Sequence, residues 1–283
     1  MIRKQSEDSL ESSLIARVDG NLLIEPETDK RRFFMWMILS ISVIGFLAQI
    51  IDGSLGMAFG VSATSFLILL SYSPAAASAV VHIAEMVTTA VSGLSHAKFG
   101  NVDWPVLFKI AAPGSIGALI GALLLSSIDL SAARNWTSVV LLCLGVLIVV
   151  KFARNSSRNR LRKGRKRWLI PLGLFGGVVD ATGGGGWGPI VTSSMTLSGV
   201  LEPRKAIGTS NAAEFAVAVS ASIGFLIGLG LAGIDWTAAV ALMIGGVLAA
   251  PVAAYIVKIV NPRFLGIAVG VVVIILNLRQ LSI

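Results

Sequence analysis

The chain has 283 residues, of which 55% are hydrophobic and only 13% are charged, and its mean hydropathy is +0.83. This composition excludes a soluble domain, which must cover its surface with polar side chains. The net charge of +8 does not indicate a nucleic-acid partner, because nine basic residues lie in one connector, 151–167. We therefore predict an all-α polytopic membrane protein whose surroundings are the lipid bilayer.

The N-terminal residues 1–32 are polar, with seven acidic and six basic side chains and no apolar core of a signal peptide, so we predict a loosely ordered tail. Ten apolar stretches follow, at 33–51, 57–72, 75–97, 104–128, 134–150, 168–179, 187–200, 205–231, 236–260 and 264–281. About 20 apolar residues span the hydrocarbon, and some of these stretches are shorter. The sequence therefore predicts eight to ten membrane segments.

The connector KFARNSSRNRLRKGRKR, 151–167, contains no acidic residue. A basic loop of this kind is typical of the cytoplasmic side of a plasma (cell inner) membrane, where we place this multi-pass chain. Contact with anionic lipid headgroups is the alternative role of the connector. The single cysteine, Cys143, offers neither a disulfide nor a metal pair, and we predict no cofactor.

The two sides of the connector are related by an internal repeat. GFLAQIIDGSLGMAFGVSATS, 45–65, aligns with GLFGGVVDATGGGGWGPIVTS, 173–193. Matched pairs include Asp52 with Asp180, Gly60 with Gly188, His82 with Asn211, Glu85 with Glu214 and Asp103 with Asp235. We predict a first membrane repeat at 33–150 and a second at 168–283. Basic residues near the segment ends do not separate parallel from inverted repeats, and the broken segments favour inverted ones.

The run DATGGGGWGP, Asp180–Pro189, interrupts an apolar stretch. Each glycine costs a helix about 1 kcal/mol relative to alanine, and proline suits a first helical turn, so we expect one helix to end near Val179 and another to begin near Pro189. A helix start presents unpaired N–H groups that attract anions. Because few cations lie deep in the apolar stretches, Lys109 being the nearest, the two breaks together are the predicted anion site.

The predicted substrate-binding residues lie in and beside these breaks. They are Asp52, Gly53, Gly56, Gly60, Asp180, Gly183, Gly184, Gly185, Gly186, Trp187, Thr209, Ser210 and Asn211. The alternative is that the glycines only permit close helix packing, while Asp52 and Asp180 act as local helix caps.

A polar face is predicted on the third segment, where side chains at helical spacing line up in an apolar run. They are Ser78, His82, Glu85, Thr89, Ser92 and His96. Ionisable residues at membrane depth are costly and usually mark a pathway, so we assign proton coupling or gating to His82, Glu85 and Glu214. A satisfied structural pair of His82 and Glu85 is the alternative. With two histidines and no cysteine cluster, we predict no metal site.

The pieces IDGSLGMAFGVSAT, SPAAASAVVHIAEM, VDATGGGGWGPIVTSS and PRKAIGTSNAAEF together resemble the sulfite exporter TauE/SafE family, also called TSUP, over about 33–281. The resemblance implies a secondary transporter, an exporter of small sulfur-containing anions such as sulfite, thiosulfate or organosulfonates, built from two related halves. Residues 54–59 depart from a denser glycine run in many relatives, which puts the symmetry of the two breaks in question.

Two alternatives to this function stay open, namely a transporter of another small organic anion and a non-transporting membrane scaffold or sensor. An enzyme is not predicted, because no nucleophile and base pair or metal-ligand spacing supports one.

Overall fold

The computed structural model describes residues 17–18, 21–22, 27–55, 57–154, 166–256 and 261–282. In these ranges the chain is almost entirely helical, which confirms the all-α prediction. The helices in chain order are α1 (Glu27–Leu55), α2 (Phe59–Leu69), α3 (Pro74–Lys98), α4 (Trp104–Ser127), α5 (Leu130–Ala153), α6 (Leu169–Gly183), α7 (Ser193–Leu197), α8 (Pro203–Leu229), α9 (Trp236–Ile256) and α10 (Pro262–Leu281). A π-helical turn, Gly188–Thr192, leads into α7, and short 3-10 turns cover Lys166–Trp168 and Leu231–Gly233.

Two compact units divide the chain, Met1–Ser40 and Ile41–Ile283. The first contains the two-residue strands β1 (Arg17–Val18) and β2 (Asn21–Leu22), which pair antiparallel, and the beginning of α1. Helix α1 therefore begins within the segment predicted as tail. The rest of the predicted tail lies outside the described residues, as does 155–165 of the connector.

Several helix starts are encoded locally by a capping side chain and a proline in the first turn. The Ser73 hydroxyl accepts a hydrogen bond from Ala76 N at 3.2 Å, and the Asp103 carboxylate accepts one from Val106 N at 3.1 Å. Both helices carry a proline immediately inside the cap, where its missing N–H costs nothing. These starts agree with the predicted stretches to within a residue.

Six of the described helices are long and apolar enough to cross a membrane. They cover Phe34–Asp52, Pro74–Lys98, Trp104–Ser127, Leu130–Ala153, Pro203–Leu229 and Arg263–Leu281. Three shorter apolar helices, Phe59–Leu69, Leu169–Gly183 and Trp236–Ala249, lie between them. The chain is thus a polytopic membrane protein, while the count of eight to ten crossings stays a prediction, because the shorter helices decide it.

The helices that the proposed repeat makes equivalent pack against each other in opposite directions. In the pair α3 and α8, Gly93 lies against Ala212 while Gly208 lies against Asn101, just beyond the end of α3. In the pair α5 and α10, Gly145 lies against Gly270 and Gly266 against the ring of Phe152. As residue numbers rise along one helix of each pair they fall along the other, so both pairs are antiparallel.

The two halves also make reciprocal contacts, in which a helix of each half packs against the same member of the other half. Gly45 of α1 fits against the backbone of Leu242 in α9, and Gly173 of α6 fits against the backbone of Ile110 in α4. In both contacts a side chain on the glycine would meet backbone atoms, so only glycine permits this approach. Reciprocal contacts of this kind are expected of any two repeats related by a twofold axis, and the repeat boundaries themselves stay a prediction.

Candidate functional site

The second glycine-rich run breaks the chain between α6 and α7. Helix α6 ends at Gly183, and Gly184 and Gly185 follow with φ of 67° and 138°, in the left-handed region that favours glycine. Helical structure resumes at Gly188. The predicted end near Val179 was wrong by about one turn, whereas the predicted restart near Pro189 agrees with the structure.

The Asp180 carboxylate caps this break from inside. Its Oδ1 accepts hydrogen bonds from the backbone N–H groups of Gly186 at 2.7 Å and Trp187 at 2.9 Å. The Asp180 carbonyl accepts from the N–H groups of Gly184 and Gly185. The local-cap alternative therefore describes Asp180, and the N–H groups of Gly186 and Trp187 are not the free anion donors that the helix-start argument assumed.

Three hydroxyls from three different helices bond the carbonyl groups at the end of α6. Ser78 of α3 donates to Ala181 O at 2.7 Å, Thr137 of α5 donates to Thr182 O at 2.9 Å, and Thr64 of α2 donates to Gly184 O at 2.6 Å. Carbonyls in the last turn of a helix have no intrahelical partner, and in a membrane they must find one in the protein. The break is therefore satisfied by side chains of the first half.

The first break lies directly against the second. A Cβ on Gly60 would meet Gly184 O at 2.6 Å and Gly185 Cα at 2.5 Å, and a Cβ on Gly188 would meet Met57 Cβ at 2.7 Å. Ala58, immediately before α2, adopts φ of 90°, a left-handed conformation unusual for a residue with a side chain. The structure thus brings the two predicted breaks together through backbone contacts that require glycine.

Some predicted residues of the first break can be located only in part. The Asp52 carboxylate lies near the backbone N–H of Phe59, at the start of α2. Gly56 lies outside the described residues, as do the surroundings of Gly53.

The polar face predicted on α3 points into the protein, and Ser78, His82, Glu85 and Thr89 are all buried. His82 is fully buried, with Nδ1 2.8 Å from Ser78 O and Nε2 3.2 Å from Asp180 Oδ2. A carbonyl only accepts hydrogen bonds, so Nδ1 carries a proton. His82 therefore pairs with Asp180. The alternative prediction of a structural pair between His82 and Glu85 is wrong.

Glu85 has a different environment from His82. It is 2% exposed, and its Oε2 has no hydrogen-bond partner among the described residues. Its Oε1 lies beside Gly60, where a Cβ would approach it to 2.8 Å. Asp52, Asp180 and Glu214 act on Glu85 electrostatically. Glu85 therefore lies at the contact between the breaks, buried and with one oxygen unsatisfied among the described residues.

The remaining predicted residues connect α8 to its neighbours. Thr209 Oγ1 accepts from Asp103 N at 2.9 Å, Ser210 Oγ accepts from Thr192 Oγ1 at 2.6 Å, and Asn211 Nδ2 donates to Ser92 Oγ at 3.0 Å. Trp187 is fully buried in the apolar core and donates from Nε1 to Ser210 O at 3.2 Å. The polar atoms of these four residues form hydrogen bonds within the protein. Glu214, which also lies on α8, is only partly buried.

Sequence reasoning missed one cation at the junction of the breaks. Lys151, in the last turn of α5, donates from Nζ to Ser193 Oγ at 3.0 Å and to Met57 Sδ at 3.2 Å, so it joins the first break to α7. It had been counted with the connector, whereas Lys109, the cation expected nearest the site, is exposed. Lys151 could have been found from the sequence, because the apolar stretch 134–150 runs without interruption up to this residue.

Broken helices that meet in the interior, beside buried charged residues, define a polytopic membrane transporter. Comparison with known proteins agrees, because the family model for the sulfite exporter TauE/SafE matches residues 41–279, and the chain belongs to this family. It is also 45% identical over 250 residues to the probable membrane transporter protein YtnM of Bacillus subtilis (strain 168), covering 87% of this chain and 83% of that protein. No solved structure matches the chain significantly.

Proposed function

We propose that this protein is a secondary transporter that exports small sulfur-containing anions, such as sulfite, thiosulfate or organosulfonates, across the plasma membrane. The proposal rests on the contact of Gly60 with Gly184 and Gly185, together with a cation, Lys151, whose ammonium group bonds to Met57 of the first half and Ser193 of the second. Family membership supports transport. The positive charge of Lys151 at this junction is the reason for proposing that the substrate is an anion.

We assign recognition of the substrate's negative charge to Lys151. Its hydrogen-bond partners are a hydroxyl and a thioether, and no carboxylate forms an ion pair with it among the described residues. An ammonium group partly removed from water is stabilised by a counter-ion, which a bound anion would supply. The hydroxyl of Ser193 is a second donor at the same point. This assignment replaces the N–H groups that Asp180 occupies.

Glu85 and Glu214 are assigned to proton coupling. A carboxylate beside a bound anion repels it when ionised, whereas a protonated carboxyl can donate a hydrogen bond to it. The Glu85 Oε2, which has no hydrogen-bond partner in the described part of the chain, leaves that donor position available. Binding of anion and proton would then favour each other, and loss of the proton on the other side would promote release of the anion. His82, one turn away and bonded to Asp180, would share the proton.

Inverted halves would allow alternating access around this site. The antiparallel pairing of α3 with α8 and of α5 with α10 supports an axis of symmetry in the membrane plane. An anion bound near this axis would be reached from either side in turn as helices outside the fastened second break move. The site residues drawn from both halves, Met57 and Ser193 among them, fit that scheme.

Anion flux in proteoliposomes tests the function. The purified full chain is reconstituted, and flux of sulfite, thiosulfate and a sulfonate is compared with that of sulfate and carboxylates. We expect saturable flux for the sulfur anions and competition among them. A preference for carboxylates would identify a transporter of another organic anion, and absence of flux with all anions from well-folded protein would favour a scaffold or sensor.

A further inference from the structure

A cavity of about 300 Å³ opens at the end of the bundle where α2 ends. The polar residues of its lining that matter here are Ser65, Ser71, Tyr72, Arg134, Asn277 and Arg279. Among the described residues that line the cavity, two are arginines and none is acidic. Its volume is at the lower limit of ligand pockets, which suits a small ion with some of its hydration water.

The cavity has a polar floor and a cationic rim. Ser65 and Asn277 are 3% and 1% exposed and bond to each other, with Asn277 Nδ2 donating to Ser65 Oγ at 3.0 Å. Arg134, in the first turns of α5, and Arg279, in the last turn of α10, are exposed. Because α5 and α10 are antiparallel, these ends meet on the same side, and two guanidinium groups face one cavity.

The other polar side chains among the described lining residues are uncharged. The Tyr72 hydroxyl donates to Asp235 Oδ2 at 2.8 Å. Burial, together with the hydrogen bond to Asp235 and its negative charge, raises the pKa of Tyr72 well above its ordinary value, so Tyr72 adds no negative charge. Asp235, which accepts this hydrogen bond from Tyr72, does not itself line the cavity.

We propose that this cavity is a second anion-binding site, a vestibule in which Arg134 and Arg279 gather a small oxoanion or sulfonate on the face opposite the basic connector. The choice of anion rests on the proposed function. Helix α2 connects the vestibule to the break, because Ser65 lies in the floor and its neighbour Thr64 bonds to Gly184 O. Arginine suits this task because its planar fork of N–H groups matches the oxygens of such anions.

Charge-selective labelling tests the vestibule without any need for transport. Ser71, exposed in the lining, is replaced by cysteine in a Cys143→Ser background, and its reaction rates with anionic and cationic methanethiosulfonate reagents are compared. We expect the anionic reagent to react faster by a factor on the order of 10, relative to a free thiol. Methanesulfonate should slow the labelling.

Three further variants make the test specific. Arg134→Gln with Arg279→Gln should abolish the preference for the anionic reagent and the protection by methanesulfonate, while Arg134→Lys with Arg279→Lys should keep most of the preference. Arg263→Gln, a matched loss of charge at the other end of α10, should change neither. An unchanged preference in the double Gln variant would overturn the vestibule. Absence of flux alongside an arginine-dependent preference would instead count against the transport function alone.

Discussion

His82 Nε2 and Asp180 Oδ2 lie 3.2 Å apart, which joins the polar face of the first half to the residue that caps the break of the second half. Asp180 directs its other carboxylate oxygen to two backbone N–H groups, and His82 directs its other ring nitrogen to Ser78 O. The histidine and the cap therefore form one buried hydrogen-bonded unit, so a change to either residue affects both halves.

Removal of the Asp180 carboxylate should destabilise the protein. Asp180→Ala leaves the buried N–H groups of Gly186 and Trp187 without their acceptor, at a cost of about 1–3 kcal/mol for each, and removes the hydrogen-bond partner of His82 Nε2. Asp180→Asn keeps one acceptor oxygen and should lie between the alanine variant and the wild type. Thermal unfolding midpoints in detergent measure this order, and equal midpoints for all three proteins would contradict it.

Two neighbouring glycines should differ sharply in their tolerance of a side chain. Gly185 has a φ of 138°, and a Cβ there would collide with the backbone of Gly60, so Gly185→Ala should lower the unfolding midpoint and abolish flux. At Gly186 the nearest atom to a Cβ is a methyl group of Val179 at 3.0 Å, so Gly186→Ala is the matched control and should fold and transport. Equal flux in both variants would show that the contact between the breaks is dispensable.

Lys151 should determine the affinity for the anion. Replacement by glutamine removes the charge at the junction, and we expect the KM for a sulfonate to rise on the order of 10-fold, the effect of losing about 1.4 kcal/mol of binding. Lys151→Arg should retain more affinity than Lys151→Gln. Lys109→Gln, the exposed control, should leave KM unchanged. If Lys151→Gln and Lys109→Gln have the same KM as the wild type, the anion binds elsewhere.

The sequence contained the positions of the breaks but not the partners that satisfy them. Four consecutive glycines and Pro189 marked the second break because glycine and proline act locally on the backbone. The true end of α6 was missed because Ser78, Thr137 and Thr64, all distant in sequence, bond its last carbonyls and extend the helix to Gly183. Hydropathy shows how deep a residue lies in an apolar stretch but not which way its side chain points, so Lys109 was named as the nearest cation and Lys151 was missed.

Anion binding should weaken as the pH rises from 5 to 8. If Glu85 or Glu214 must be protonated to accept an anion as neighbour, deprotonation adds repulsion and lowers affinity. A sulfonate is the appropriate probe, because its own charge is constant in this range. At least one of the variants Glu85→Gln and Glu214→Gln, which mimic the neutral acid, should bind with reduced pH dependence and transport poorly. Full wild-type pH dependence and turnover in both variants would make these acids structural.

The first turns of α5 and α10 should be accessible to labelling from opposite sides of the membrane. Single cysteines at Arg263 and Arg134, in a Cys143→Ser background, are treated with an impermeant maleimide in intact cells. For inverted repeats with the connector in the cytoplasm, the cysteine at Arg134 should label and the one at Arg263 should label only after permeabilisation. Labelling of Arg263→Cys from outside would favour the parallel arrangement.

The three hydroxyl hydrogen bonds at the end of α6 hold the second break rigidly, so it does not act as a hinge. Ser78, Thr137 and Thr64 fasten this one point to α3, α5 and α2, and a rotation of the backbone there would strip three carbonyls of their donors at once. Each loss costs more in a membrane interior than in water, since no solvent replaces the donor. Motion during transport must therefore carry the end of α6 and these three helices as one rigid piece, and slow amide exchange at Gly185 and Gly186 would be its signature.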